Sequence, residues 1–136
     1  MKTEIRVNGP LDVPRTLERY RVWGEDPVNR LHPGMFVRAI RVAGAWQGYE
    51  LRWSGPVDAA RLLVSTPGSR STRVLEAAVD EVGRICGLGP DLETFYTVAK
   101  EDPVLGPLVP RLWGLRPTLS PHPLEMLIGA VCAQQI

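Results

Sequence analysis

No long apolar run occurs in this chain of 136 residues. A bilayer-spanning helix needs about 20 such residues in succession, so neither a membrane span nor a membrane partner is expected. The opening stretch, MKTEIRVNGPLD, holds no apolar h-region, and no secretory signal is expected there. Cysteine is scarce: only Cys86 and Cys132 occur, and their wide spacing is no metal pattern. Both fall on apolar faces of expected helices, where Cys behaves as a small buried hydrophobe, and a reduced, cytoplasmic protein follows. Charge of one sign is lacking too. With 16 Lys and Arg against 15 Asp and Glu, the net charge of +1 announces no nucleic-acid partner, although a local basic patch fits inside a neutral whole. Catalytic signatures are absent as well: no phosphate-binding glycine loop, no nucleophile elbow, no zinc-type Cys/His cluster. Neither a metal nor a cofactor is expected.

What is present suffices for one ordinary domain or two small ones, with 44% hydrophobic residues to build a core. Thirteen prolines and thirteen glycines are spread along the chain and read as punctuation between short elements. The first part reads as mixed α/β. Residues 3–7 alternate as a strand; 11–24 form a helix with Asp12 as N-cap, Pro14 in the first turn and Gly24 as its stop. Residues 35–42 and 47–53 read as strands joined by AGAW, with Gln47, Tyr49, Leu51 and Trp53 on one face, and 60–65 adds another. The small, polar stretch TPGSRST, 66–72, marks a boundary between a domain over 1–70 and one over 71–136.

Beyond it the pattern is helical. Residues 71–89 carry Val74, Leu75, Ala78, Val79, Val82, Ile85 and Cys86 on one stripe, with Gly87 as the cap. Asp91 caps 90–102, which buries Leu92, Phe95, Tyr96 and Ala99 and is halted by Pro103. Residues 103–117 form a short helix or two turns. A last helix over 120–135 starts from Ser120 as N-cap with Pro121 first, and its stripe is Leu124, Leu127, Ile128, Val131 and Cys132. The expected fold class is α+β: an antiparallel-sheet domain with a flanking helix, then the first helices of an all-α domain. That last helix has little after it to pack against, so the chain is expected to be incomplete, with its apolar stripe exposed until a companion segment covers it.

His32 and His122 both stand beside prolines and read as solvated or capping histidines, a binding role being the alternative. The pairs Asp80-Glu81 and Glu101-Asp102 read as solvated acids. Tryptophans stand at 23, 46, 53 and 113; Trp46 and Trp53 read as sheet packing, or else as a stacking surface for a flat ligand. Arg15, Arg19, Arg21, Arg38, Arg41 and Arg52 read as polar faces of their elements, or else as a basic surface. Gln134 and Gln135 end the last helix. Taken alone the pair reads as a frayed end, but a long neutral amide that both donates and accepts can also enter a base stack and pair an orphaned base.

DLETFYTVAKEDPVLGPLVPRLWGLRPTLSPHPLEMLIGAVCAQQI, residues 91–136, resembles the helix-hairpin-helix DNA glycosylase superfamily, most of all DNA-3-methyladenine glycosylase II. The shared pattern is Asp-Leu-x-x-Phe-Tyr, then Asp-Pro-x-Leu, a Gly-Leu-Arg-Pro stretch and an apolar helix running into Gln-Gln. PLDVPRTLERY and GMFVRAIRV resemble the same family's N-terminal sheet domain more weakly. The resemblance implies a base-excision-repair enzyme that flips an alkylated purine out of duplex DNA and hydrolyses its N-glycosidic bond, an Asp carboxylate assisting water and aromatic side chains gripping the base. It implies DNA binding by Gln134 and Gln135, with Gln135 as the intercalating side chain, and an aromatic of the base pocket at Tyr20. Trp113, Arg116 and Pro117 match the segment leading into the catalytic domain. The family's glycine-turn hairpin and catalytic Asp have no counterpart here. Asp12, Asp58, Asp80, Asp91 and Asp102 stand in other contexts, so the catalytic residue is unknown and is expected beyond residue 136, in a missing C-terminal segment or a companion chain. Two alternatives stand beside this: a non-catalytic module that binds nucleic acid or protein, and a small enzyme using Tyr, Trp and Arg around a flat ligand.

Overall fold

The computed structural model describes residues 1–22, 24 and 27–134, without the side chains of Glu125 and Ala133. Five strands, β1 (Lys2–Arg6), β2 (Asn29–His32), β3 (Met35–Val42), β4 (Ala45–Ser54) and β5 (Arg61–Ser65), make one antiparallel sheet in the order β1-β5-β4-β3-β2. Four helices accompany it: α1 (Val13–Leu17), α2 (Thr72–Ile85), α3 (Leu92–Glu101) and α4 (Pro123–Ala133). The fold is thus α+β. Among the described residues no helix is long and apolar enough to cross a membrane.

Alternation decides which face of the sheet is buried. Phe36 and Ile40 of β3, Tyr49 and Leu51 of β4, and Leu62 and Val64 of β5 all point to one side. There they meet Leu75, Ala78, Val82 and Ile85 of α2 and Leu11, Val13 and Leu17 at α1. The segment 66–72 that the sequence marks as a boundary is the β5–α2 connection, and the helix after it shares one core with the strands before it. A second, smaller cluster follows, in which Leu92, Tyr96 and Ala99 of α3 close on Val109 and Trp113.

Local chemistry explains most element ends. Asp12 caps α1, its carboxylate accepting from the Arg15 N–H at 3.1 Å, but the helix is shorter than expected and tightens into a 3₁₀ turn over Glu18–Tyr20. Asp91 caps α3 by accepting from the N–H groups of Glu93 and Thr94, and the Thr94 hydroxyl, followed by these N–H groups, holds its carboxyl below the ordinary range. Ala43 and Gly44, both with positive φ, make the β3–β4 turn by themselves, so Ala45 and Trp46 lengthen β4 rather than sit in the turn. β2 is an addition to the sequence expectation. His32-Pro33-Gly34-Met35 folds it back onto β3, and Pro followed by a glycine at φ 73° was the available turn signal.

Three further expectations, all on α3 and α4, fail. α4 has His122 at its N-cap position, without a side-chain cap bond, and Pro123 in its first turn, rather than Ser120 and Pro121, because Pro121 and His122 stay extended or bent before the helix. Phe95 on α3 is 51% exposed, its ring lying to one side of the Tyr96 face that packs. Cys132 is exposed while Cys86 is buried, because no described element covers α4.

Gly87 ends α2 at φ +60°, where a Cβ would lie 2.3 Å from the Pro117 carbonyl oxygen. Gly87→Ala therefore combines a left-handed strain of about 1–3 kcal/mol with a backbone clash. We expect a loss of at least 3 kcal/mol in urea denaturation at unchanged m-value, and a loss under 1 kcal/mol would place the 116–118 segment elsewhere.

Candidate nucleic-acid interface

α4 stands on the rest of the molecule by its base. The Leu119 N–H donates to the Arg84 carbonyl at 3.0 Å, and the His122 Nε2 lies 3.4 Å from Glu81 Oε2. From there the helix runs outward with Leu124, Leu127, Ile128 and Val131 exposed. Gln134 closes it, its N–H donating to the Ala130 carbonyl at 3.1 Å and its side chain exposed without a hydrogen-bond partner among the described residues. Gln135 lies outside the described residues.

Beneath the base of α4 is a buried polar cluster that the sequence reading missed. Antiparallel register puts Asn29, Arg38 and Tyr49 in one row across β2, β3 and β4, facing α2. Glu81 descends onto that row from the inner stripe of α2. Its Oε1 accepts from Arg38 Nε at 2.7 Å and from the Tyr49 hydroxyl at 3.1 Å, and Arg38 also donates to the Asn29 amide oxygen. All four side chains are buried. Glu81 and Arg38 are thus no solvated charges, because each sits at the spacing of its element's apolar face: Ala78, Glu81, Ile85 on the helix and Phe36, Arg38, Ile40 on the strand. Burial, and then the Glu81 charge, raise the Tyr49 phenol so that it stays a donor.

Tyr20 stands at the end of the 3₁₀ turn after α1. One side of its ring packs on Phe36 (centroids 5.1 Å apart, tilted 43°), with the Arg19 guanidinium 5.6 Å from the centroid. It also borders a pocket of about 410 Å³ whose wall includes Asn29, Arg30, Leu31 and His32. Burial above all raises its phenol, while Arg38 and Arg19 work against this. No hydrogen bond or ring contact joins Tyr20 to Gln134 among the described residues.

A larger apolar groove of about 680 Å³ runs between α3, the 105–118 segment and the exposed edge of α1. Its floor is pinned by aromatics: Tyr96 stacks on Trp113 at 4.4 Å, Trp113 Nε1 donates to Asp58 at 2.7 Å, and the Gly114 N–H donates to the Tyr96 hydroxyl at 2.9 Å. Arg116 is buried behind it, donating from Nε to the Pro10 carbonyl at 2.9 Å and from its two terminal nitrogens to the Gly87 and Asn8 carbonyls at 3.1 and 2.5 Å. Trp113 and Arg116 therefore hold segments together.

Four of the five described aspartates are occupied in the same way, and the fifth, Asp80, is exposed on α2. Asp12 and Asp91 cap helices, Asp102 accepts from the N–H groups of Val104 and Leu105, and Asp58 holds Trp113. Among the described residues no group of three or more His, Cys, Asp or Glu is placed to hold a metal ion.

This arrangement of sheet and helices is shared with a solved structure, a 3-methyladenine DNA-glycosylase from Archaeoglobus fulgidus. The superposition has a TM-score of 0.79 and covers 98% of this chain at 20% identity. The chain has a DNA glycosylase-like fold. It spans 45% of the length of that glycosylase. No family model and no curated protein sequence matches it.

Proposed function

We propose that this chain is part of a base-excision DNA glycosylase that flips an alkylated purine, of the 3-methyladenine type, out of duplex DNA and hydrolyses its N-glycosidic bond. One observation carries the proposal. On a DNA glycosylase-like fold, an uncovered apolar helix brings Gln134 to its exposed end, with Gln135 next in sequence. In this reading the two amides probe the duplex, and Gln135 fills the space of the flipped nucleotide, paying back part of the few kcal/mol that unstacking costs.

Tyr20 is the aromatic we assign to the base pocket, a role supported by its position on the wall of the 410 Å³ pocket. An alkylated cationic base gains there from the ring's π-face. The catalytic carboxylate is assigned to no residue here, which the capping and bridging roles of Asp12, Asp58, Asp91 and Asp102 support. It belongs, in this reading, to the remainder of a helix-hairpin-helix domain, in the same polypeptide or a companion chain, that also covers α4. The division of labour we assign starts from the two clusters: the sheet with α2 as one unit, and α3 with the 109–113 segment as the start of the helical domain that α4 continues in sequence. Its expected setting is the reduced cytoplasm.

Gln135→Ala is expected to weaken binding to a lesion-bearing duplex by about tenfold, or ~1.4 kcal/mol. The single-turnover release rate of the bound fraction should change by less than about threefold. Stopped-flow fluorescence of a base analogue opposite the lesion reads the flipping step directly. If Gln135→Ala flips and binds like the parent, Gln135 has no such role. A binding module without catalysis is the second reading, favoured by the occupied aspartates, and it predicts lesion binding with no base release.

A further inference from the structure

The two faces of the sheet differ in kind. α1 and α2 cover one; on the other, no residue is buried. Register orders that open face. Lys2 and Arg30 end a row that crosses the sheet through Glu50, Arg52 occupies the next row, Arg6 opposes Arg61 in a third, and Arg41 opposes Trp46 in a fourth. These six cations meet two carboxylates, Glu4 and Glu50, an excess of four positive charges on one face of a chain whose net charge is +1. Arg52 has Glu50 at 3.6 Å and Arg61 has Glu4 at 3.9 Å. Lys2, Arg6, Arg30 and Arg41 have no carboxylate partner among the described residues.

The rest of the face chooses between polyanions. Trp46 is 69% exposed, and the next outward position of its strand is Gly48, opposite Ala39. An indole thus stands beside a floor almost free of side chains, with a guanidinium across from it, which suits a flat ring better than a peptide side chain. A lipid surface would call for several exposed apolar side chains to insert, and besides Trp46 only Leu63 on this face is an exposed large apolar residue. Arg41 stands across from Trp46, Lys2 and Arg30 lie in the row of Glu50 farther along the sheet, and Arg6 lies in the row of Ser54. Cations spread along a face that also holds an open aromatic are the means by which sheets hold single strands, the cations tracking phosphates and the ring stacking on a base that no complementary strand occupies.

We infer that the open face of the sheet binds single-stranded nucleic acid, with Lys2, Arg6, Arg30 and Arg41 on its phosphates and Trp46 stacked on a base. This surface is separate from the α4 end, and either can fail without the other.

The test is fluorescence anisotropy of a labelled oligothymidylate on the protein carrying Gln134→Ala and Gln135→Ala, so that the α4 end contributes nothing. Four phosphate contacts predict a slope of log K against log salt near −3. Changing Lys2, Arg6, Arg30 and Arg41 together to Gln should bring that slope close to zero, and Trp46→Ala should weaken binding about tenfold at unchanged slope. On the unaltered protein, bound oligonucleotide should protect Lys2 from acetylation and leave Lys100, the only other lysine, as reactive as before. The inference is overturned if the oligonucleotide does not bind at low salt, if the four-fold variant keeps the parent slope, or if Lys2 is not protected. It is also overturned if polyglutamate or anionic phospholipid vesicles bind the face and the oligonucleotide does not. A duplex bound as tightly as the single strand, with Trp46→Ala silent, overturns the single-strand assignment.

Discussion

Glu81→Ala should leave the protein unfolded or nearly so at 37 °C. Glu81 is the counter-charge of a buried guanidinium and the acceptor for a buried phenol. Removing one partner of such a pair leaves the other charge desolvated and unpaired, at a cost of about 3–5 kcal/mol, against a total stability of about 5–15 kcal/mol for a domain of ordinary size. Arg38→Ala should cost a similar amount, and Glu81→Gln most of it, since the amide keeps the shape but not the charge. The pair is no net source of stability, however. Arg38→Met combined with Glu81→Leu should recover much of the loss, because the desolvation of both charges disappears with them. Urea denaturation of the two single variants and the double one closes the cycle, and additive losses would show that the two side chains do not interact. Because the base of α4 touches Glu81 through His122, the single variants should also loosen α4, seen as faster amide exchange over 122–130.

Arg116→Ala is expected to have the second-largest effect. The guanidinium ties three stretches distant in sequence, at Asn8, Pro10 and Gly87, through carbonyl groups alone, and the Arg116 N–H reaches the Thr16 hydroxyl at 3.3 Å. Truncation strands two buried acceptors and one part-buried one, and hydrogen bonds to charged groups are worth about 1.5–3 kcal/mol each, so a loss of ~3 kcal/mol or more is expected. Arg116→Lys should rescue little, because a point charge on a flexible stem cannot reproduce a planar fork with fixed donors. Loss of Arg116 should also free Cys86. Burial pushes that thiol up to about 12, with Arg116 opposing the shift, so it is inert in the parent. Thiol-reactive reagents should label the parent at exposed Cys132 and the variant at both cysteines, while a variant that labels at Cys132 alone and keeps its stability would show that the clasp is dispensable.

The sheet was the most legible part of the fold. The bounds of β3 match the strand read between turn signals, and the inward set of Tyr49 and Leu51 follows from the parity of β4. Asp91 and Pro103 bracket α3 as their chemistry requires. What escaped were the cases in which a charged residue occupies an apolar position. Arg38 shares the parity of Phe36 and Ile40, and Glu81 shares the stripe of Ala78 and Ile85, so the spacing carried the signal. Reading Lys, Arg, Asp and Glu as surface by type concealed it. β2 escaped because four residues are too few for a period to register, although the Pro-Gly turn behind it was plain. Arg116 could not have been found this way: its partners lie 29 to 108 residues distant, and their carbonyls carry no residue-type signature. The open face of the sheet is an intermediate case, because the cations are visible in the sequence but only the register puts them together.

The central claim is a glycosylase role, and base release tests it most directly. The protein, as its gene encodes it and with any companion chain, is incubated with duplex DNA treated with a methylating agent, and the free bases are separated and quantified. The account predicts that 3-methyladenine is released in proportion to enzyme and time, leaving abasic sites in the duplex. A folded protein that binds the alkylated duplex and releases no modified base would contradict it.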